Sequence, residues 1–226
     1  MSLIAKFVCP EGIVSISDKR TTYTKNGIVV NYNDDATKSF EYKKAVISVC
    51  GAADYNCEKI DAFLPRIISE SLIKQISEAD VLEEIARYYI NYEGRNTTYL
   101  ISYYLPFPKG TLEYLNCYSI KEPIVFKLKT ETLDIKRINI EDDIFSFGVF
   151  HDGANDKSNK SIAKWKEDKK LNMKDQNIKS SIVLAKELVS NVITSYNGEH
   201  SYVSNDCDMF IQRHNENGVT HCKISA

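Results

Sequence analysis

The sequence predicts an α+β domain in four layers, with two antiparallel sheets sandwiched between two layers of helices. Three observations predict it. Short β-branched runs at both ends and in the middle alternate with segments whose apolar residues recur at helical spacing. The order is strands, two helices, strands, two helices, strands, with no linker or internal repeat to divide it. The 226 residues are enough for one large core, so residues 1–226 are expected to form a single domain. Two stacked sheets, each covered by a helix pair, would bury every apolar face this order creates.

The elements follow in order. LIAKFVC (3–9) and GIVSISD (12–18) read as a hairpin turning at Pro10-Glu11-Gly12. IVVNY (28–32) and SFEY (39–42) are shorter strands near the turn signals KNG and NDD, and AVISVCG (45–51) suits a strand buried on both faces. Ile60, Phe63, Leu64, Ile67, Ile68 and Leu72 then mark a helix, with a kink or late start expected at Pro65. Ser77 and Asp80 begin a second helix with Leu82, Ile85, Ala86 and Tyr89 inward, ending near Glu93-Gly94. TTYLISYYL (97–105), LEYLNCYSI (112–120), PIVFKLK (123–129) and SFGVF (146–150) return to strands, and their neighbouring tyrosines read as packing rather than a stacking surface. The polar stretch 152–175 reads as a solvated loop leading to a short helix around 162–165; DGANDKSN lacks the alternating acids of a calcium loop. A long helix over 178–197 buries Ile182, Ala185, Val189, Val192, Ile193 and Tyr196 and stops at Gly198. DMFIQRH (208–214), the turn NENG and VTHCKIS (219–225) close the chain as a hairpin.

Composition narrows the function. Twenty-nine basic against 31 acidic residues give a net charge of −2, so no general attraction to nucleic acid or an anionic membrane is expected. The Lys-rich stretch 157–170 is diluted by Glu167 and Asp168. No apolar run approaches the roughly 18–20 residues of a membrane helix, and the N-terminus lacks the pattern of a signal peptide, so a cytoplasmic protein is expected. The six cysteines form no C-x-x-C pair and read as buried free thiols, while the four histidines show no metal-site spacing. No metal or other cofactor is expected.

Several segments together resemble the proteasome-type N-terminal nucleophile hydrolases, a family of bacterial proteasome-like proteins related to proteasome β subunits and HslV-like peptidases. Ser17-Asp18-Lys19-Arg20 is similar to an A-D-x-R segment ending the second strand, and it places the family's nucleophile on Ser2. Lys38 precedes AVISVCG and Gly51-Ala52-Ala53-Asp54, similar to a G-x-A-D motif. Asp208 begins the last hairpin as in the family, without the two preceding glycines. Glu199 to Ser204 offers no clean match to the aspartate and serine that support the amine, and SFGVFHDGAND stands where the family has G-S-G. The resemblance covers nearly the whole chain.

The resemblance implies a peptidase. A serine hydroxyl needs a base, and a free α-amine with pKa near ~8 can supply it from the same residue once Met1 is removed. Ser2 would be the nucleophile, Lys38 would lower its pKa, Asp18 would hold Lys38, and a backbone N–H near Gly51 would serve the oxyanion. The substrate would be a peptide or protein, and the family implies homo-oligomeric rings or stacked rings, fed in some cases by an ATP-dependent unfoldase. The alternative is a catalytically inactive scaffold or ring subunit. Each residue also has a plain structural reading: Ser2 as an ordinary second residue, Asp18 as a hairpin closure or partner of Arg20, Lys38 as a surface lysine, Gly51 as a tight turn.

Overall fold

A computed structural model of the chain describes residues 2–25, 28–52, 54–92, 96–106, 121–138, 148–153, 156–196, 202–213, 216 and 218–225. The first half contains β1 (Ile4–Cys9), β2 (Gly12–Asp18), β3 (Thr21–Lys25), β4 (Ile28–Asn33), β5 (Ser39–Tyr42), β6 (Ala45–Gly51), β7 (Asp54–Tyr55), β8 (Glu58–Lys59), α1 (Ile60–Ile73) and α2 (Val81–Tyr89). The second contains β9 (Thr97–Pro106), β10 (Lys121–Lys129), β11 (Asp134–Arg137), β12 (Gly148–Asp152), α3 (Asp156–Asp168), a 3-10 turn at Met173–Asp175, α4 (Ile178–Thr194), β13 (Asp206–Arg213) and β14 (Val219–Ser225).

These strands form two five-stranded sheets, ordered β12-β1-β2-β13-β14 and β11-β10-β9-β6-β5. Every pairing within them is antiparallel. Strand periodicity explains the layering. Ala5 and Phe7 of β1, with Leu3 just before it, pack with Ile162, Trp165, Ala185, Leu188 and Val192 of α3 and α4. The alternate residues Ile4, Lys6 and Val8 face the second sheet, where Ile4 packs with Cys50 and Leu100, and Val8 with Val125. The outer face of the second sheet, including Ile47, Val49, Tyr99 and Ile101, is covered by Phe63, Leu64, Ile67 and Ile85 of α1 and α2. The result is the expected four-layer αββα sandwich.

The hairpin and the helix layer lock together at Gly12. A methyl group there would lie 2.3 Å from the Gln212 carbonyl oxygen and 2.5 Å from Ile178 Cδ1. Beside it, Glu11 accepts a hydrogen bond from the Ile178 backbone N–H, and Asn177 with Ser180 forms a capping box, so the Ile178 and Ser180 N–H groups of the first turn of α4 are satisfied.

Some sequence expectations are corrected. β3 completes a separate two-stranded hairpin with β4, and β7 with β8 makes another; none of these besides β4 has a clear hydrophobic signal. The stretch 152–175 holds a 13-residue helix rather than a short one, because Ile162 and Trp165 anchor it on the core while its other face is polar. α1 runs through Pro65 without ending there, although Pro65 is its sixth residue, past the first turn, and so removes one intrahelical hydrogen bond. Leu72 points outward at 45% exposure, and Ser71 takes the inward position. α2 ends at Tyr89, earlier than expected, and α4 at Thr194. On α4, Leu184 and Leu188 are buried while Ile182 and Ile193 sit at the margin. The expected strand over 112–120 and the stop at Gly198 lie outside the described residues. Tyr55, Tyr88, Tyr89, Tyr92 and Phe63 pack against one another, with Tyr89 Oη 2.7 Å from Tyr99 Oη, so these tyrosines are core. Cys9, Cys50 and Cys207 are buried free thiols, but Cys57 is exposed. Among the described residues no helix is long and apolar enough to cross a membrane.

Candidate active site

Asp18 ends β2 at the mouth of the β1–β2 hairpin, and its carboxylate is buried there. A buried carboxylate needs donors, and the local chain supplies them. The Leu3 N–H donates to Oδ1 at 2.6 Å and the Arg20 N–H to Oδ2 at 2.8 Å. Lys38, at the approach to β5, donates to both oxygens at 3.0 Å and also to the Arg20 carbonyl. Lys38 is therefore no surface lysine; its side chain is 7% exposed. The bond from Leu3 fixes the start of the chain against the ion pair.

Ser2 is 6% exposed and, with Lys38 and Gly51, lines a cavity of about 410 Å³. Thus three of the sequence-derived site residues share one cavity, and Asp18 sits behind the lysine. No hydrogen bond joins the Ser2 hydroxyl to Lys38 among the described residues. Gly51 closes β6 with φ at +113°, and a methyl group on it would fall 2.1 Å from the Asn96 carbonyl oxygen. Both facts require glycine and leave the main chain bare at the cavity wall. Cys50 also lines the cavity, but burial first, and Asp152 second, push its thiol well up. It stays protonated and is a poor rival nucleophile.

Four further contributors were not marked as site residues from the sequence. Gly153 (φ +88°) lies against Ser2, so close that a methyl group would sit 2.1 Å from the Ser2 carbonyl oxygen. Its only signal was position, in the DGAND segment standing where a small-residue motif was expected. Thr21 and Thr22 of β3 form part of the cavity wall, and the Thr22 hydroxyl is buried without a partner among the described residues. Arg20 clamps Asp34 through Nε and Nη2, both at 2.7 Å, and lies over the Tyr32 ring. This ties both ends of the β3–β4 hairpin to the ion pair. The Asp34 partner holds the Arg20 guanidinium above its ordinary pKa, and Arg20 holds the Asp34 carboxyl below its own.

Chemically, the cavity offers a hydroxyl, a lysine charge fixed behind it and a bare glycine backbone. That set suits attack on a carbonyl carbon. Among the described residues, no group of His, Cys, Asp and Glu side chains could hold a metal ion.

No family model matches the chain and no curated protein matches it. Among solved structures, a variant of Anbu from Hyphomicrobium sp. strain MC1 superposes with a TM-score of 0.63 at 16% identity, over 100% of this chain and 88% of that one. A second Anbu structure from the same strain matches with a TM-score of 0.63 at 14% identity, over 99% and 88%. These findings correct the expected relationship to proteasome β subunits and HslV-like peptidases. The likeness found is to Anbu, and identity this low carries the architecture without membership of a hydrolase family. The chain has a proteasome-like fold.

Proposed function

We propose that the chain is an amide hydrolase that uses Ser2 as nucleophile and acts on peptide bonds. The observation that carries this reading is the buried Asp18–Lys38 pair reaching the same cavity as Ser2. Removal of Met1 exposes the Ser2 α-amine. The amine takes the Ser2 Oγ proton as the oxygen attacks the substrate carbonyl carbon, and Lys38 favours the developing negative charge. The Gly51 main chain stands by for the oxyanion. Collapse breaks the C–N bond, the proton passes to the leaving amine, and an ester remains on Ser2. Water then hydrolyses the ester and returns the proton to Oγ. The substrate is a peptide or protein, and the fold's assembly mode would be a ring or stacked ring of identical chains, with an ATP-dependent unfoldase as a candidate feeder.

One observation favours a second reading, a non-catalytic ring subunit: the Ser2 hydroxyl has no hydrogen bond to Lys38 among the described residues. A peptide epoxyketone separates the two, because it bonds a hydroxyl and a free amine on the same residue. Intact mass should show loss of Met1 and one adduct, absent in Ser2→Ala, with hydrolysis of fluorogenic peptide amides falling at least about 10²-fold in Lys38→Ala. Retained Met1 with no adduct would leave the scaffold reading.

A further inference from the structure

We propose that the cavity beside Ser2 seats a cationic side chain, so that peptides carrying arginine or lysine at that position are its preferred ligands. The inference deepens the amide-hydrolase reading and rests on it for the meaning of that position. The walls carry an unbalanced charge. Asp35, Asp54 and Asp61 line the cavity, and none of their carboxylates has an ion-pair partner among the described residues. Lys38 does not offset them, because Asp18 holds it at 3.0 Å through both oxygens. Among the described residues that leaves Lys59, opposite Asp54 across the β7–β8 hairpin, as the one other lysine lining the cavity with these three carboxylates.

The interior of the same cavity points to a ligand independently of those acids. The Thr22 hydroxyl, on the same cavity wall as Ser2, is buried and finds no hydrogen-bond partner among the described residues. A buried hydroxyl normally has one, and a ligand seated in the cavity would supply it. The remaining wall is supplied in part by Val49, Ala36, Ala52 and Ile60, which are small or aliphatic. Such a lining suits the methylene stem of lysine or arginine with its charged head beyond, among the carboxylates. A glutamate side chain would meet like charge, and a norleucine would fill the stem path while leaving the carboxylates unmatched.

An exposed pair contributes a factor of a few in affinity, so two or three carboxylates should give roughly a ten-fold preference. The test uses Ser2→Ala protein, in which hydrolysis cannot intervene, and fluorescein-labelled tetrapeptide amides that differ only in an arginine, norleucine or glutamate. Anisotropy at low salt should rank arginine about ten-fold above norleucine, with glutamate weakest. The preference should shrink several-fold at high salt and in Asp54→Asn/Asp61→Asn, an isosteric double variant whose fold is checked by its unchanged melting temperature. Equal or tighter binding of norleucine or glutamate, an arginine preference that survives the double variant, or binding of none of the three overturns the proposal. Hydrolysis by the Ser2 protein without arginine preference sinks this inference alone. Arginine-selective binding without hydrolysis or epoxyketone adduct sinks the hydrolase reading and leaves a selective binding cavity.

Discussion

Asp18 gathers more of this site than any other residue. Its two oxygens accept from Leu3, Arg20 and Lys38, so it fixes the chain start, the root of the β3–β4 hairpin and the lysine at once. Breaking a buried ion pair by removing one partner leaves an uncompensated charge, with a loss of about 3–5 kcal/mol. Asp18→Ala should therefore lower the unfolding free energy read from urea denaturation by that amount, whereas Lys38→Met, which leaves the carboxylate its two backbone donors, should be milder. Equal losses would mean that the backbone donors contribute nothing. Gly153 acts at the same scale through what it lacks, since any side chain there would displace the Ser2 carbonyl.

Among the elements, the β3–β4 hairpin stands apart because it belongs to neither large sheet. Its position over the cavity depends on the Arg20–Asp34 fork and the Tyr32 ring. Lysine cannot reproduce a two-pronged, planar contact. Arg20→Lys should leave the melting temperature within a few degrees while raising the KM for peptide amides several-fold, as the hairpin wall loosens. A lower kcat with unchanged KM would place Arg20's influence on the ion pair rather than the hairpin. The sequence showed IVVNY as a strand but gave no comparable sign of TTYTK, which pairs only with β4 and whose Tyr23 is exposed.

At the scale of the whole molecule, the two sheets are joined by polar ties as well as by apolar contact. Lys6 Nζ crosses from the first sheet to the Val46 carbonyl and also donates to Ser15 Oγ on the neighbouring strand of its own sheet, both at 3.0 Å. Ser17 meets Ser39, which meets Ser48, and Gln212 bonds Ser102 and the Lys44 carbonyl. Lys6 is wholly buried, and burial drives its pKa well below 10.5. The unfolded chain thus binds a proton that the fold releases, so stability rises as pH climbs through the window from the lowered folded value to about 10.5. As pH rises toward about 10.5 the wild-type melting temperature should carry this upward contribution, and Lys6→Met should remove it. An identical pH slope in both proteins would show that Lys6 stays charged in the fold.

Fold class was legible before any coordinates because it rests on local signals. Alternation in IAKFVC, the 3.6-residue spacing of Ile60, Phe63, Leu64 and Ile67, and the punctuation at Pro10 and Gly12 each act within a few residues. Ser2, Asp18, Lys38 and Gly51 could be marked one by one, but their plain structural readings stood beside them. Only strand pairing and sheet stacking bring Asp18 to Leu3 and Lys38, place Gly153 against Ser2, and set Asp35, Asp54 and Asp61 around one cavity. Those contacts join segments 15 to about 150 residues apart, and their geometry depends on register and layer spacing, which no local pattern encodes.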